Sequence, residues 1–168
     1  METAQTKNCI LNRQAIDQKM KRMALEVAEQ NLNETELTIA GINGNGEIVA
    51  KKLATELMKI HPFKIQITTI QLNKKNPLEV SLAHSLELDN KSIIVVDDVA
   101  NTGRIMLYAL KPFLQCYPKK IQTLVLVERS HKLFPIQNDY TGLSITTTLQ
   151  EHIAVETAQD EITGAWLY

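Results

Sequence analysis

The sequence has few of the residues that mark unstructured or cross-linked chains. Of its 168 residues, six are glycine, five are proline and two are cysteine. So little glycine and proline excludes collagen-like, low-complexity and disordered chains. The two cysteines, Cys9 and Cys116, lie far apart in no metal-binding spacing and cannot form a disulfide framework. We therefore expect a reducing compartment.

The chain also lacks an excess of one charge and a long apolar run. Its 18 lysines and arginines nearly balance 19 aspartates and glutamates, which leaves a formal net charge of −1. This balance argues against a protein that wraps nucleic acid chiefly by electrostatics, although a local basic surface is compatible with it. No segment approaches the roughly 18 apolar residues of a membrane span, and the polar N-terminus has no apolar core of a secretory signal. We expect a cytoplasmic protein with no membrane association.

Hydrophobic residues make up 44% of the chain and follow two kinds of periodicity. Helical spacing predicts one helix over 12–30, with Asn12 as its N-cap, and a second over 47–60. Short apolar runs predict buried strands over 37–42, 65–72, 92–96 and 121–127. We also expect an edge element over 78–86, a helix break at Pro112 and a short strand over 144–149. Alternating strands and helices are typical of a parallel sheet with right-handed crossovers, so the sequence predicts one α/β domain.

The segment from Val95 to Arg104 carries most of the chemical information. It leads from a buried strand into Asp97 and Asp98, then through small and polar residues to a helix that begins near Gly103. Ligands of open parallel sheets bind at the carboxyl ends of the strands, and a glycine turn before a helix is suited to phosphate. The two carboxylates are suited to a sugar diol or to Mg²⁺. A bare pair of aspartates more often only ends a strand and caps a helix, so this interpretation depends on the combination.

Residues 95–104 resemble the phosphoribosyl-pyrophosphate motif of the type I phosphoribosyltransferases. Within that superfamily the chain is most similar to the pyrimidine-operon attenuator/uracil phosphoribosyltransferase group. The similarity covers roughly residues 9–155 and includes the 41–46 turn and the 126–131 stretch. It implies a single-domain α/β fold, with a central mostly parallel sheet flanked by helices and a small hood. We expect one domain over residues 1–168, its core over about 30–130 and its hood from 1–15 and 131–168.

The resemblance also implies a reaction and a role for each motif. The phosphoribosyl group of phosphoribosyl pyrophosphate would pass to a nucleobase with release of pyrophosphate, and Mg²⁺ would be the cofactor. Asp97 and Asp98 would bind the ribose hydroxyls and, directly or indirectly, the Mg²⁺. The 5′-phosphate would lie in a turn formed by Ala100, Asn101, Thr102, Gly103 and Arg104. Pyrophosphate would bind the turn of Asn43, Gly44, Asn45 and Gly46, which by itself is compatible with an ordinary strand-to-helix connection.

The chain differs from the family pattern at several of these positions. The group typically has lysine and arginine in the pyrophosphate turn, where this chain has Asn43 and Asn45, and threonine is frequent where Ile105 stands. The loop over 73–86 lacks the arginine expected near its beginning; Lys74 and Lys75 are the cations available there. These differences keep a second hypothesis open, a weakly active or inactive regulator that binds a nucleotide or phosphoribosyl pyrophosphate.

The sequence gives partial indications of the base and of the partners. Purine-salvage relatives have an acidic proton acceptor where Asn101 stands, and asparagine cannot take a proton, which favours uracil or another pyrimidine. Asp139 and Tyr140 resemble the segment that covers the base in the uracil group, although Tyr140 is equally compatible with core packing. The resemblance implies a homodimer. Binding of RNA, as by an attenuator, is a further possibility that the scattered lysines do not favour.

Overall fold

The computed structural model describes residues 6–168. Its elements follow one another as β1 (Asn8–Asn12), α1 (Arg13–Gln30), β2 (Glu36–Ile42), α2 (Asn45–Ile60), β3 (Lys64–Leu72), β4 (Val80–Leu82), β5 (Ser92–Ala100), α3 (Arg104–Ala109), a 3-10 turn (Lys111–Gln115), β6 (Lys120–Arg129), β7 (Tyr140–Ile145), β8 (Ile153–Ala158) and β9 (Glu161–Leu167).

The strands form two sheets. The larger sheet has the order β4-β3-β2-β5-β6-β7, and all its neighbours are parallel except the edge strand β4, which runs antiparallel to β3. The smaller sheet is antiparallel, with the order β1-β9-β8. The chain is thus an α/β protein with a central mostly parallel sheet flanked by helices, as the sequence predicts, and the small sheet joins the two ends of the described chain.

Both faces of the large sheet are covered by helices. Alternate residues of β5 point to opposite faces, so Ile94 and Val96 pack with α1 and α2, whereas Ile93 and Val95 pack with α3 and the 3-10 turn. Burying a side chain of this size stabilises the fold by about 1.5–3 kcal/mol. The continuous apolar run of β5 is therefore explained by burial on two faces, and it fixes the strand whose end carries Asp97 and Asp98.

The predicted helices agree closely with the observed ones. The side chain of Asn12 accepts a hydrogen bond from the N–H of Ala15 at 2.8 Å, which caps α1 as expected. The helix after Gly103 ends at Ala109, and the chain continues through Pro112 as a 3-10 turn, which is the predicted break. Within residues 6–168, no helix is long and apolar enough to cross a membrane. Cys9 and Cys116 are exposed and free.

The last third of the chain differs from the prediction. The strand predicted over 144–149 begins instead at Tyr140 and ends at Ile145, and it extends the large sheet beside β6 rather than a hood. Gly142 allows this close pairing, because a Cβ there would lie 2.4 Å from the carbonyl oxygen of Leu126. Strands β1, β8 and β9 were not predicted. Residues 1–5 of the predicted hood lie outside the described residues, and the domain boundaries stay a prediction.

Candidate functional site

A cavity of about 390 Å³ opens at the carboxyl end of β5. The end of β5 and the turn that follows it form one side, and β8 of the small sheet covers the other. The lining residues are Asn45, Lys74, Asp97, Asp98, Val99, Ala100, Asn101, Thr102, Gly103, Arg104, Ile105, Met106, Ile153, Ala154 and Val155. Parallel sheets bind ligands at this end, so the cavity lies where the sequence places the site.

The two aspartates are buried and held in place by backbone groups. Asp97 is 2% exposed and Asp98 8%. The N–H of Asp98 donates to Asp97 Oδ1, and the N–H of Val99 donates to Asp98 Oδ1, both at 2.9 Å. The side-chain amide of Asn45 donates to Asp98 Oδ2 at 3.0 Å. The carboxylates are thus fixed toward the cavity as hydrogen-bond acceptors.

A lysine neutralises part of this buried charge. Lys74 Nζ lies 3.2 Å from Asp97 Oδ1 and 3.7 Å from Asp98 Oδ1. Burial and the neighbouring charge of Asp98 raise the pKa of Asp97 to about 8, and the attraction of Lys74 opposes this only in part. Partial burial would lower the pKa of Lys74, but its attraction to Asp97 and Asp98 outweighs burial and raises that pKa.

The same acid pair fits a divalent cation. The pair already binds the ammonium of Lys74, and carboxylate oxygens are the ligands that Mg²⁺ prefers. Across residues 6–168 no group of three or more histidine, cysteine, aspartate or glutamate side chains is arranged to hold a metal. Mg²⁺ is often bound by only one or two carboxylates together with substrate phosphates. Asp97 and Asp98 are therefore the residues suited to hold it alongside a phosphorylated substrate.

The turn from Ala100 to Arg104 lines the cavity, and three of its backbone amides make no hydrogen bond among the described residues. Among the described residues 6–168, no acceptor pairs with the backbone N–H groups of Asn101, Thr102 and Gly103. Gly103 adopts a φ of +86°, which favours glycine, and a Cβ on it would lie 2.8 Å from Ile136 Cγ2. Helix α3 is only six residues long, so its dipole is small and the turn's own amides carry the attraction for an anion.

The segment after β6 supports this turn from behind. The carbonyl oxygen of Thr102 accepts from the N–H groups of Leu133 at 2.9 Å and Phe134 at 3.1 Å. Glu128, at the end of β6, pairs with Lys132 at 2.8 Å and accepts from the amide of Asn138 at 3.0 Å. Burial opposes ionisation of Glu128, but these partners outweigh it and lower its pKa. The amides of the turn are thus held in place before any ligand arrives, and no sequence motif indicated this support.

The 43–46 turn contributes less to the cavity than the sequence suggests. Of Asn43, Gly44, Asn45 and Gly46, only Asn45 lines it. Asn43 Oδ1 accepts from the N–H of Leu72 at 3.2 Å, and the N–H of Gly44 donates to Glu47 Oε1 at 3.2 Å. Gly46 supports the site indirectly, because a Cβ there would lie 3.0 Å from Asp97 Oδ1.

Asp139 and Tyr140 do not reach this cavity, which disagrees with their predicted role at the base. Asp139 Oδ2 accepts from the N–H of Thr123 at 2.8 Å, and Tyr140 pairs with Leu124 in the β6–β7 ladder. Both border a separate cavity of about 250 Å³. Burial raises the pKa of Tyr140 to about 12. The physical reason is that Asp139 is bonded to Thr123 of β6 and Tyr140 begins β7, so neither residue lies in a loop over the cavity.

The cover over the cavity comes instead from β8, which sequence reasoning missed. Ile153, Ala154 and Val155 line the cavity, and the carbonyl of Val155 accepts from Asn45 at 2.9 Å. The only sequence signal was the short apolar run Ile-Ala-Val after a polar loop. Asn45 thus joins the acid pair to the small sheet.

Comparison with known families and proteins agrees with the resemblance seen in the sequence. The model of the phosphoribosyl transferase domain matches residues 7–161. The Bifunctional protein PyrR of Clostridium kluyveri is 28% identical over 162 residues, which cover 91% of this chain and 92% of that protein. The protein of the same name from Bacillus cereus is 30% identical over 164 residues, which cover 90% and 91%.

Solved structures show the same fold at lower identity. The hypoxanthine phosphoribosyltransferase of Trypanosoma cruzi superposes with a TM-score of 0.74 at 14% identity, over 83% of this chain and 82% of that chain. A hypoxanthine-guanine phosphoribosyltransferase of Bacillus anthracis superposes with a TM-score of 0.73 at 17% identity, over 94% and 96%. At such identities the likeness is one of fold.

Proposed function

This chain belongs to the phosphoribosyl transferase domain family, and from that premise we propose that it transfers the phosphoribosyl group of phosphoribosyl pyrophosphate to a pyrimidine base, uracil or a close relative, and releases pyrophosphate. The observation that carries the proposal is the meeting, in one cavity, of the buried acid pair Asp97–Asp98 with the unpaired amides of the 100–104 turn. A phosphorylated sugar needs these two groups, acceptors for its hydroxyls and donors for its phosphate.

The ribose and its phosphate fit the two ends of the cavity. The carboxylates of Asp97 and Asp98 are oriented acceptors for the ribose hydroxyls. The 5′-phosphate would accept from the amides of Asn101, Thr102 and Gly103, with the Thr102 hydroxyl close by. Arg104 lies at the same turn, its guanidinium 5.0 Å from the centre of the Phe134 ring.

Mg²⁺ would be held by Asp97 and Asp98 together with the substrate. Bound there, it would offset the negative charge that the pyrophosphate carries as it departs. The chain's own part is to orient the sugar from both ends, so that the base meets the anomeric carbon with the pyrophosphate on the opposite side. The bond from that carbon to the base nitrogen forms as its bond to pyrophosphate oxygen breaks. The pyrophosphate leaves with the electron pair, and the proton of the base nitrogen passes to solvent.

The exposed edge of β8 is suited to recognising a pyrimidine. Among the strands of residues 6–168, β8 pairs only with β9, and the N–H and carbonyl of His152 bond to Tyr168 on that side. Groups alternate along an antiparallel strand, so the N–H and carbonyl of Ile153 face away from β9, as the carbonyl of Val155 does. A donor and an acceptor side by side complement the carbonyl and N–H of uracil. Asn101, which cannot accept a proton, supports the choice of a pyrimidine over hypoxanthine or guanine.

The test is a product assay with a panel of bases. The protein, Mg²⁺ and phosphoribosyl pyrophosphate are incubated with uracil, cytosine, orotate, hypoxanthine, guanine or adenine, and nucleotide and pyrophosphate are followed together. We expect equal amounts of uridine monophosphate and pyrophosphate with uracil, and loss of both without Mg²⁺. No product with any base, despite Mg²⁺-dependent binding of phosphoribosyl pyrophosphate, would refute the enzyme.

A second candidate is a regulator that binds these ligands with little turnover. Two observations favour it. The 43–46 turn contains no lysine or arginine, and the side-chain amide of Asn45 already donates to Asp98 and to the carbonyl of Val155. It predicts tight ligand binding without product in the same assay.

RNA and self-association are separate questions for either candidate. Of the 18 lysines and arginines, nine pair with a carboxylate among the described residues 6–168, which leaves a weak basic surface for RNA. Salt-dependent retention of a pyrimidine-operon leader RNA would support an attenuator. We also propose a homodimer, which sedimentation velocity tests.

A further inference from the structure

We propose that Arg129 is a positioning residue for base recognition: from the end of β6 it holds the segment before β8, and so fixes the strand edge at Ile153 on which the base binds. The inference rests on the proposed function and adds one residue to it. It concerns the base alone, because the sugar and its phosphate bind to the acid pair and to the 100–104 turn.

The hydrogen bonds of Arg129 converge on one short segment. Arg129 is the last residue of β6 and is partly buried. Its Nε donates to Thr147 Oγ1 at 2.6 Å, and its Nη2 donates to the carbonyl oxygens of Thr148, at 2.9 Å, and of Glu151. A planar guanidinium holds several acceptors in one fixed arrangement. One side chain thus fixes residues 147–151, which lead into β8.

The rest of the chain holds this segment at its two ends. At its beginning, the N–H of Ser130 donates to the carbonyl of Ile145 at 2.9 Å; at its end, the N–H of His152 donates to the carbonyl of Tyr168 at 2.7 Å. Between these points, the hydrogen bonds described for residues 147–151 run either to Arg129 or within the segment itself. The course of the segment between its ends therefore depends on Arg129.

The edge of β8 that faces away from β9 presents every second residue. The N–H and carbonyl of His152 both bond to Tyr168, on the side of β9. Backbone groups alternate along an antiparallel strand, so those of Glu151, Ile153 and Val155 point to the other edge. Among the strands of residues 6–168, β9 is the one neighbour of β8, so this other edge is not covered by a strand.

Two side chains anchor this edge on either side of Ile153. Two residues earlier, the carbonyl of Glu151 accepts from Arg129; two residues later, the carbonyl of Val155 accepts from Asn45 at 2.9 Å. Between the two anchors, Ile153 lines the cavity with its N–H and carbonyl on the same edge. Arg129 and Asn45 thus set the position of the donor and acceptor proposed for the base.

The loss of Arg129 should therefore affect the base and spare the sugar. A misplacement of about 1 Å is enough to cost up to about a hundredfold in a positioned contact. Without Arg129, one anchor of the edge is lost while Asn45 still holds the other. Asp97, Asp98 and the 100–104 turn keep the bonds that orient them.

Two ligands that differ only in the base test this. Uridine 5′-monophosphate and ribose 5-phosphate share the sugar and its phosphate, so the ratio of their dissociation constants isolates the contribution of the base. Calorimetric titration is made on the wild type, Arg129→Met, Arg129→Lys and Arg22→Met. Arg22 is the matched control, because its Nη2 also donates to two carbonyls, those of Thr141 and Gly142 at 2.9 Å, but in β7 and away from the cavity.

A loss confined to the base is expected. In Arg129→Met the affinity for uridine 5′-monophosphate falls by about tenfold or more, whereas that for ribose 5-phosphate stays within about twofold of the wild type. Arg129→Lys recovers part of the loss, since an ammonium cannot hold all three acceptors. Arg22→Met binds both ligands as the wild type does. Thr147→Val removes one acceptor of Arg129 and shows a smaller loss of the same kind; it replaces Arg129→Met if that variant does not fold.

The contrary results are distinct. If the wild type prefers uridine 5′-monophosphate and the Arg129 or Thr147 variant keeps that preference, or loses both ligands equally, the inference is overturned and the proposed function stands. A selective loss of the nucleotide in Arg22→Met as well also overturns it, since the effect would then not depend on the edge of β8. If the wild type binds neither ligand, or both alike, the proposed transfer to a pyrimidine fails and the inference with it.

Discussion

The side-chain amide of Asn45 donates to Asp98 Oδ2 at 3.0 Å and to the carbonyl oxygen of Val155 at 2.9 Å. Its own oxygen accepts from the hydroxyl of Thr157 at 3.3 Å. One residue at the beginning of α2 thus binds the acid pair to β8, the strand that covers the cavity. The sequence placed Asn45 in an anion-binding turn, whereas its contacts hold the two walls of the site together.

Replacing Asn45 by alanine removes all of these bonds. The carbonyl of the buried Val155 loses its partner, so we expect the free energy of unfolding to fall by about 1–3 kcal/mol. The KM for phosphoribosyl pyrophosphate should also rise, because Asp98 and β8 lose their common anchor. Urea unfolding and steady-state kinetics measure the two effects. Asn76→Ala is the control, since within residues 6–168 only its backbone makes a hydrogen bond. Equal behaviour of the two variants would contradict the assignment.

Two glycines of the same turn should respond differently to alanine. A Cβ on Gly46 would lie 3.0 Å from both Asp97 Oδ1 and the carbonyl oxygen of Val96, whereas a Cβ on Gly44 meets nothing within 4 Å. Gly44 has a φ of +93°, so Gly44→Ala costs only backbone strain, about 1–3 kcal/mol.

We therefore expect both variants to lose stability but only Gly46→Ala to lose affinity for ribose 5-phosphate, because it displaces Asp97. Urea unfolding and calorimetric titration of the two proteins test this. A loss of affinity confined to Gly44→Ala would instead indicate that the turn itself contacts the ligand.

The raised pKa of Asp97 makes the stability of the ligand-free protein depend on pH. Its carboxyl has a pKa of about 8 in the folded chain, against 3.8 as its ordinary value. Between these values the unfolded chain has released a proton that the folded chain still holds, so this group's contribution to stability falls as pH rises from about 4 to 8.

Asp97→Asn should remove that dependence. The melting temperatures of Asp97→Asn and the wild type are measured in EDTA at several pH values. From pH 5 to pH 8 the melting temperature of the variant should rise relative to that of the wild type. The effect is measurable, because each kcal/mol shifts the Tm of a chain of this size by about 2–4 °C. The other titrating groups are the same in both proteins, so their contributions cancel in this difference. A pH-independent difference would contradict the raised pKa, and the variant should in either case lose transferase activity.

Much of the site was predictable because it follows one buried strand. The apolar run of β5 must lie inside a parallel sheet, and its end must therefore face the ligand side, which places Asp97, Asp98 and the 100–104 turn together. The cap at Asn12 and the break at Pro112 likewise follow from the chemistry of a single residue. These features depend on neighbours in the sequence or on the periodicity of a single element.

The features that were not predictable depend on contacts between distant segments. Nothing near Asn45 indicates that β8, more than a hundred residues later, covers the acid pair. Lys74 stands in a polar loop, and its contact with Asp97 depends on how β3 and β5 flank β2. Gly142 lets β7 pack closely against Leu126, a contact that no neighbouring residue in the sequence indicates.

The position of Tyr140 provides a last test, in which structure and sequence predict different results. Its ring is buried in β7, away from the acid pair. Tyr140→Phe keeps the ring and removes only its hydroxyl, so we expect the free energy of unfolding to change by no more than about 1 kcal/mol. The kcat/KM for uracil should stay within about twofold of the wild type, as it should in the control Tyr117→Phe, whose ring is exposed.

A large loss of kcat/KM in Tyr140→Phe alone would restore the role at the base that the sequence suggested. Unchanged kinetics in a stably folded variant would leave the exposed edge of β8 as the surface that recognises the base.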